Sequence, residues 1–224
     1  FIQFQQQHID EMIAQSANHA CVILWGLLNE SHSHERAARR GYKTLIDHIR
    51  AGDSTRPVSY ACNHPWDDKC MDLVDVMGLN TYPGWYWGDV PTLGDELDKT
   101  IAHLDAQKRC RNKPLIVSEI GAEGIYGFRD WNKARWSEEY QAAVLHTVIE
   151  HLFVQRKRAC GLSLWLYNDF RAANDTRKHL GRARGFNNKG VVDEYRRPKL
   201  GYYAVRKLYR QLRERPALQE PGRA

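Results

Sequence analysis

Two glutamates follow apolar runs that have the character of buried strands. The run that begins at Cys21 ends on Asn29 and Glu30, and the run that begins at Lys113 ends on Glu119. If both runs are parallel strands, their carboxyl ends lie on the face where barrel enzymes build active sites. Two carboxyl groups there suit retaining glycoside hydrolysis, in which one acid protonates the leaving oxygen and one carboxylate attacks the anomeric carbon. A lone acidic residue at a strand end is as often a helix cap or a surface ion pair, but two such strands favour part of a glycosidase.

Amide and aromatic side chains accompany the two glutamates. Asn29 stands beside the first of them, and its amide could hydrogen-bond a sugar hydroxyl. Asn80, Tyr82 and Trp85 follow another predicted strand, and Trp165 closes a further one. Flat rings stack on the apolar faces of pyranose rings, and the Tyr82 hydroxyl could hydrogen-bond the nucleophile. The alternative is that these rings pack beneath loops. We therefore predict these five residues as substrate-binding.

The elements that must position these residues alternate between apolar strands and amphipathic helices. Strands are predicted at residues 21–28, 57–61, 73–79, 114–118 and 161–166, and helices at residues 3–16, 35–50, 93–104, 144–152 and 203–212. Near-continuous apolar strands covered by helices indicate an α/β fold with a parallel sheet. No Gly-rich phosphate-binding turn follows the first strand, which disfavours a nucleotide-binding open sheet. Five strands fit a (β/α)8 TIM barrel that is present as its C-terminal part, from about strand 4 to strand 8.

Composition narrows the classes of protein. With 224 residues, of which 42% are hydrophobic, the chain can bury a sizeable core, and no stretch is apolar enough to span a bilayer. The net charge of +6 is spread over most predicted helices, so no nucleic-acid partner is expected. Five irregularly spaced cysteines without a CxxC pair favour free thiols in a reducing compartment, hence a cytoplasmic protein. We expect one domain over residues 1–212 and a flexible tail over residues 213–224.

Three further features are secondary. His32 and His34 have a spacing that could ligate a metal, but no third ligand is evident nearby and a solvated loop is favoured. Glu123 competes for the role of nucleophile, although it lies in a glycine-flanked loop past the strand end. Asp169 and Arg171 could shape the aglycone side or form a structural ion pair. Neither a metal nor a cofactor is therefore predicted.

Six segments occur in the order and spacing of the catalytic barrel of glycoside hydrolase family 2: WGLLNES, GLNTYPGWY, KPLIVSEIGAEG, RWSEEYQ, LWLYNDF and FNNKGVVDEYRRPK. The chain resembles this family from residue 3 to about residue 213, and it is most similar to the family's β-glucuronidases. The resemblance implies that Glu30 is the acid/base and Glu119 the nucleophile of a double displacement. It also implies upstream β-sandwich domains and three earlier barrel strands, a carbohydrate substrate, and a homo-oligomer of the full-length protein without a membrane partner.

The tetrapeptide from Asn187 to Gly190 resembles the Asn-x-Lys-Gly motif by which β-glucuronidases recognise the sugar carboxylate. In an extended loop, residues i and i+2 point to one side, so the amide of Asn187 and the ammonium of Lys189 could converge on one anion. Pro83 stands where the family usually carries an aromatic residue, which raises a related uronic acid as a substrate. The leading expectation is an exo-acting, retaining β-glucuronidase. The alternatives are a β-galactosidase or β-galacturonidase of the same family, and a non-catalytic carbohydrate-binding barrel.

Overall fold

The computed structural model describes residues 1–172 and 182–214. Their contacts form two compact units. The first unit comprises Phe1–Thr81, Leu97–Glu119 and Ala159–Leu162, and the second comprises Tyr82–Glu96, Ile120–Arg158 and the described part of Ser163–Ala224. The tail predicted over residues 213–224 lies outside the described residues, apart from its first two, which end a helix. The single domain predicted over residues 1–212 stays a prediction.

Helices separate most of the strands in the described part of the chain, as the sequence predicts. The helices are α1 (Ile2–Ser16), α2 (Ala38–Gly52), α3 (Leu93–Ala106), α4 (Glu138–Glu150) and α5 (Leu200–Glu214). The strands are β1 (Trp25–Asn29), β2 (Val58–Cys62), β3 (Met77–Asn80), β4 (Leu115–Ile120), β5 (Ala159–Leu164), β6 (Phe170–Arg171) and β7 (Phe186–Asn187). A short 3-10 turn, Met71–Leu73, precedes β3, and one π-helical turn, His151–Gln155, extends α4.

The order of the main sheet is β1-β2-β3-β4-β5, and β1 to β4 pair in parallel. Each strand therefore lies beside the next one in the sequence. A nucleotide-binding open sheet reverses its strand order at a switch point, whereas a barrel winds in one direction. The sequential order confirms the predicted α/β fold and its partial barrel. Strands β6 and β7 form a separate antiparallel pair.

Two strands begin later than predicted. In both cases a charged side chain binds a backbone carbonyl that a longer strand would use in the sheet. The first was expected from residue 21 but starts at Trp25, since the Arg56 guanidinium binds the carbonyl of Val22 at 2.7 Å. The third was expected from residue 73 but starts at Met77. Lys113 binds the carbonyl of Val74 there. Patterns of apolar residues do not register such long-range contacts.

Each unit packs apolar helix faces. In the first unit, α2 packs against α1 and buries the predicted residues Tyr42, Leu45, Ile46 and Ile49. In the second unit, α4 packs against α5 and buries Val144, Leu145, Val148 and Ile149. The Ser137 side chain caps α4 by accepting a hydrogen bond from Tyr140 N. All five cysteines are free, and no helix in the described ranges reaches the length and hydropathy that a membrane crossing needs.

Candidate functional site

Glu30 is the first residue after β1, and its backbone turns sharply. Its φ is +48°, in the left-handed region that is unfavourable for a residue with a side chain. The turn is held because Glu30 N donates to the carbonyl of Ala61 on β2 at 2.9 Å. The side chain of Glu30 is exposed. A non-glycine residue in this conformation at a strand end is typical of functional sites, where strain is tolerated to aim a side chain.

Asn80 fixes the orientation of Glu30 from the end of β3. Its buried amide donates from Nδ2 to Oε1 of Glu30 at 2.9 Å and to Oδ1 of Asn29 at 3.0 Å. Its Oδ1 accepts a hydrogen bond of 2.7 Å from the Ser118 hydroxyl on β4. Because both ends of the amide are engaged, Asn80 cannot rotate without breaking bonds to two strands.

Glu119 lies inside β4 rather than just after it, in contrast to the expected strand end. It is half-buried and is the register partner of Asn80, and its carbonyl accepts a hydrogen bond from Thr81 N at 2.9 Å. Asn80 therefore neighbours both glutamates, through its side chain to Glu30 and through its main chain to Glu119. The first unit thus brings these residues and Asn29 together at adjoining strand ends. The separation of the two carboxyl groups stays a prediction of about 5–5.5 Å.

In the second unit, the Lys189 ammonium is buried among aromatic rings. Its Nζ lies 5.5 Å from the ring centroids of Tyr82 and Trp85 and 4.8 Å from that of Tyr86. It donates to the Tyr86 hydroxyl at 3.1 Å and lies 3.3 Å from Oε1 of Glu123. Ring faces attract a desolvated cation. The structure therefore places the Lys189 ammonium beside Tyr82 and Trp85, with the carboxylate of Glu123 as its ionic partner.

Glu123 is fully buried and serves as the anion of a small charged cluster. The Arg182 guanidinium binds the same Oε1 as Lys189, and Asn188 donates to Oε2 from its main-chain N and from Nδ2, both at 3.1 Å. Burial alone would lower the pKa of Arg182, but attraction to Glu123 raises it, so the guanidinium stays charged. With both oxygens engaged, Glu123 is poorly suited to be a nucleophile. Among the residues that the structure describes, these three charged groups, two cationic and one anionic, leave one positive charge in excess.

Asn187 is buried at the end of β7, and its Oδ1 accepts a hydrogen bond of 3.2 Å from Lys189 N. This bond fixes the loop at the residue that carries the ammonium. Gly190 follows, with its N–H donating to Oδ1 of Asp169 at 2.9 Å. A Cβ atom on Gly190 would overlap the backbone of Asp169 and the carbonyl of Val192. The glycine is thus required by close packing rather than by an unusual backbone angle.

A fully buried ion pair between Lys199 and Asp169 supports the loop that carries Lys189. Lys199, which precedes α5, binds Oδ1 of Asp169 at 2.8 Å and the carbonyls of Gly124 and Asn188 at 2.6 and 3.0 Å. Of the two roles left open for Asp169, the structure shows the structural ion pair, with Lys199 as its partner. The pair holds the segments that carry Glu123 and Lys189.

Asp169 gives a testable dependence of stability on pH. Burial raises its pKa to about 6, although Lys199 opposes this shift. Between about pH 4, where the unfolded carboxyl titrates, and pH 6, the folded state binds more protons at this group. We therefore expect the contribution of Asp169 to the free energy of unfolding to fall as pH rises across this window. In urea titrations at several pH values, this contribution should be absent in Asp169→Asn and present in the control Asp95→Asn, an exposed aspartate of α3. Equal pH slopes in all three proteins would contradict the assignment.

The two predicted tryptophans differ in accessibility. Trp85 is 6% exposed and meets Trp136 edge to face, with a centroid distance of 4.9 Å, whereas Trp165 is 36% exposed. Only the ring of Trp165 offers a substantial free face in this pair, and its stacking on a sugar stays a prediction.

A cavity of about 570 Å³ lies in the first unit, beside α2. Its lining contains none of the predicted site residues, so it is not the predicted sugar site.

Several contributing residues were not predicted from the sequence. Ser118 and Tyr86 lie beside predicted residues, so proximity to Glu119 and Trp85 was the available signal. Arg182 had no such signal, because it lies in a polar stretch that any solvated loop shares, whereas Lys199 ends the last segment that carries the family resemblance but was not singled out within it. The nine predicted site residues fall into two groups by unit: Asn29, Glu30, Asn80 and Glu119 in the first, and Tyr82, Trp85, Trp165, Asn187 and Lys189 in the second.

Comparison with known proteins identifies the family. Residues 2–214 match Glycosyl hydrolases family 2, TIM barrel domain. The chain is 32% identical over 205 residues to the β-glucuronidase of Mus musculus, a match that covers 90% of this chain and 30% of that protein. It resembles the GH2 β-galacturonidase from Eisenbergiella tayi bound to galacturonate, with a TM-score of 0.87 and 37% identity over 94% of this chain and 37% of that one. It also resembles the β-glucuronidase of an uncultured Clostridium sp., with a TM-score of 0.85 and 29% identity over 94% of this chain and 36% of that one.

The chain spans about a third of the length of these relatives. The family match nevertheless runs over almost all of its residues and agrees with the sequential parallel sheet. The chain therefore belongs to the TIM barrel domain family of glycosyl hydrolases family 2.

Proposed function

We propose that this chain carries the catalytic glutamates of a retaining exo-glycosidase that removes terminal β-D-glucuronic acid from glucuronides. The Glu119 carboxylate attacks the anomeric carbon while Glu30 donates a proton to the leaving oxygen, which gives a glycosyl ester and the free aglycone. Glu30 then takes a proton from water, the resulting hydroxide displaces Glu119, and glucuronic acid leaves with retained configuration. The orientation of Glu30 by Asn80 supports this assignment of roles.

One observation carries the preference for an acidic sugar: Lys189 and Arg182 share the single carboxylate of Glu123. The side chains of Lys189 and Glu123 are 1% and 0% exposed, so solvent screens their charges little. An excess positive charge in such surroundings is stabilised by one further anion. The carboxylate of a uronic acid supplies that anion, whereas a neutral hexose does not. This argument disfavours a β-galactosidase.

A β-galacturonidase is the second candidate. It is favoured by the higher identity to the Eisenbergiella tayi β-galacturonidase, 37%, than to the β-glucuronidase of the uncultured Clostridium, 29%. Pro83 adds support, since it replaces the aromatic residue that the sequence resemblance leads us to expect. Glucuronic and galacturonic acid share the carboxylate and differ in configuration at one ring carbon. Turnover of the two matched nitrophenyl glycosides by the full-length protein separates these candidates.

We expect Lys189→Ala to slow hydrolysis of nitrophenyl β-glucuronide far more than that of the matching β-glucoside. In the variant, the carboxylate of the bound glucuronide is still desolvated but has lost the charge-assisted bond to Lys189. The expected loss of transition-state stabilisation is on the order of 2–5 kcal/mol. The glucoside never used that bond, so its kcat/KM should change little. The measurement is the ratio of the two kcat/KM values in each protein. Asn187→Ala should shift the same ratio in the same direction but more weakly, because an amide is a neutral donor.

Lys207→Ala, an exposed lysine of α5, is the matched control and should leave the ratio of rates unchanged. Equal losses on both substrates in Lys189→Ala would mean that Lys189 supports the loop instead of binding the sugar carboxylate. The β-galactosidase alternative would then become the better hypothesis.

A further inference from the structure

The turn that follows Glu30 gathers three side chains with metal-binding atoms: His32, His34 and Glu35. The main chain of the turn is held by hydrogen bonds, from Glu35 N to the carbonyl of His32 at 3.1 Å and from Lys69 N to the carbonyl of the buried Ser33 at 2.9 Å. This closed turn brings the ligands together before any ion binds. The sequence alone offered only the two histidines. The fold adds Glu35 as the third ligand.

The distances suit a small divalent ion. Nδ1 of His32 lies 3.3 Å from Oε1 of Glu35, and one ligand atom from each of the three residues lies within 4.8 Å of the others. In a tetrahedral zinc site with bonds of about 2.1 Å, neighbouring ligand atoms are separated by roughly 3.4 Å. The side chains of His32 and Glu35 are 78% and 55% exposed, so both can rotate inward without disturbing packing.

His34 is the fixed member of the three. Its ring packs on the ring of His64 with a centroid distance of 4.0 Å, which holds its plane. Its Nδ1 is buried and has no hydrogen-bond partner among residues 1–172 and 182–214. A buried polar atom without a partner is costly and calls for an explanation, such as an ion that the protein binds.

We propose that His32, His34 and Glu35 bind one late first-row divalent metal ion, with Zn²⁺ as the representative. Two imidazoles and one carboxylate match the ligand preference of zinc, and a water molecule completes the tetrahedron. The competing interpretation is a simple surface ion pair between His32 and Glu35. The ion would link the exposed turn to the fixed ring of His34 and thereby stabilise the segment next to Glu30.

The test is calorimetric titration of tag-free protein with ZnCl₂, combined with thermal unfolding. Cys21 and Cys160 are exposed thiols that could bind zinc, so both are replaced by Ser in every variant. We expect one ion per chain and a rise of Tm with Zn²⁺ concentration, because the ion binds the folded state. His32→Gln and Glu35→Gln should each weaken binding by at least about 10–100-fold. Mg²⁺ should not bind, since it prefers oxygen ligands.

His19→Gln, an exposed histidine outside the turn, is the matched control and should bind Zn²⁺ like its parent. His32 is mostly exposed, so its replacement leaves the fold intact and a loss of binding is attributable to the ligand. Unchanged affinity in both His32→Gln and Glu35→Gln would overturn the proposal, as would equal binding of Mg²⁺. The measurement needs no turnover, so its outcome is independent of the proposed glycosidase activity.

Discussion

Glu119→Gln should abolish turnover of nitrophenyl β-glucuronide and leave binding of the sugar largely intact. The amide keeps the shape of the carboxylate but cannot attack the anomeric carbon, so the covalent step is lost. For a nucleophile that acts in concert with its acid/base partner, a decrease of kcat on the order of 10⁴ or more is expected. Steady-state rates and calorimetric binding of glucuronic acid to the full-length protein check both parts. Glu11→Gln, an exposed glutamate of α1, is the control and should leave both unchanged.

Glu30→Gln separates the two roles. Substrates with good leaving groups need little protonation, so they should still be cleaved at the first step by this variant. Azide should then accelerate the second step, because it attacks the glycosyl ester without a general base. Neither effect should appear in Glu119→Gln by the same route. If the pattern of rescue is reversed between the two positions, the roles of the glutamates are the opposite of those proposed.

Lys199→Met should lower the free energy of unfolding by about 3–5 kcal/mol, because it leaves the carboxylate of Asp169 buried without its cation. The ammonium also satisfies the carbonyls of Gly124 and Asn188, which would lose their donor. Urea unfolding measures the effect, and Lys207→Met on α5 is the control for removing a lysine charge from an exposed site. Adding Asp169→Asn to Lys199→Met should recover part of the loss, since the unpaired charge is removed. A loss below about 1 kcal/mol in the single variant would contradict the structural role of the pair.

The sequence predicted the elements well where local periodicity decides. The buried face of α2 and the α/β order, with helices between most strands, follow from the spacing of apolar residues, and both are confirmed. The predicted starts of β1 and β3 were wrong, because side chains distant in sequence bind the main chain there. Arg56 reaches Val22 across 34 residues, and Lys113 reaches Val74 across 39. No pattern confined to one segment contains that information.

The candidate site shows the same division. The spacing of the two apolar runs marked Glu30 and Glu119, but it could not predict that Asn80 would hydrogen-bond Glu30. That contact joins side chains 50 positions apart, which the order of the strands in the sheet brings together. Likewise, Lys189 was predicted as a carboxylate ligand, whereas its pairing with Glu123 joins residues 66 positions apart. The buried cluster of Lys189, Arg182 and Glu123 forms only in the folded chain, so a motif of four residues cannot predict it.

The close packing at Gly190 bears on how such enzymes diverge and are recognised. Within the Asn-Asn-Lys-Gly segment, the glycine is fixed by its neighbours Asp169 and Val192, while the lysine faces the charged cluster. If Lys189 binds the sugar carboxylate as proposed, selection for folding acts on Gly190 and selection for substrate acts on Lys189. A relative that acts on neutral sugars would then be free to replace Lys189 while Gly190 persisted. A sequence search that scores the four residues together would then take a glycine kept for packing as evidence of a shared substrate.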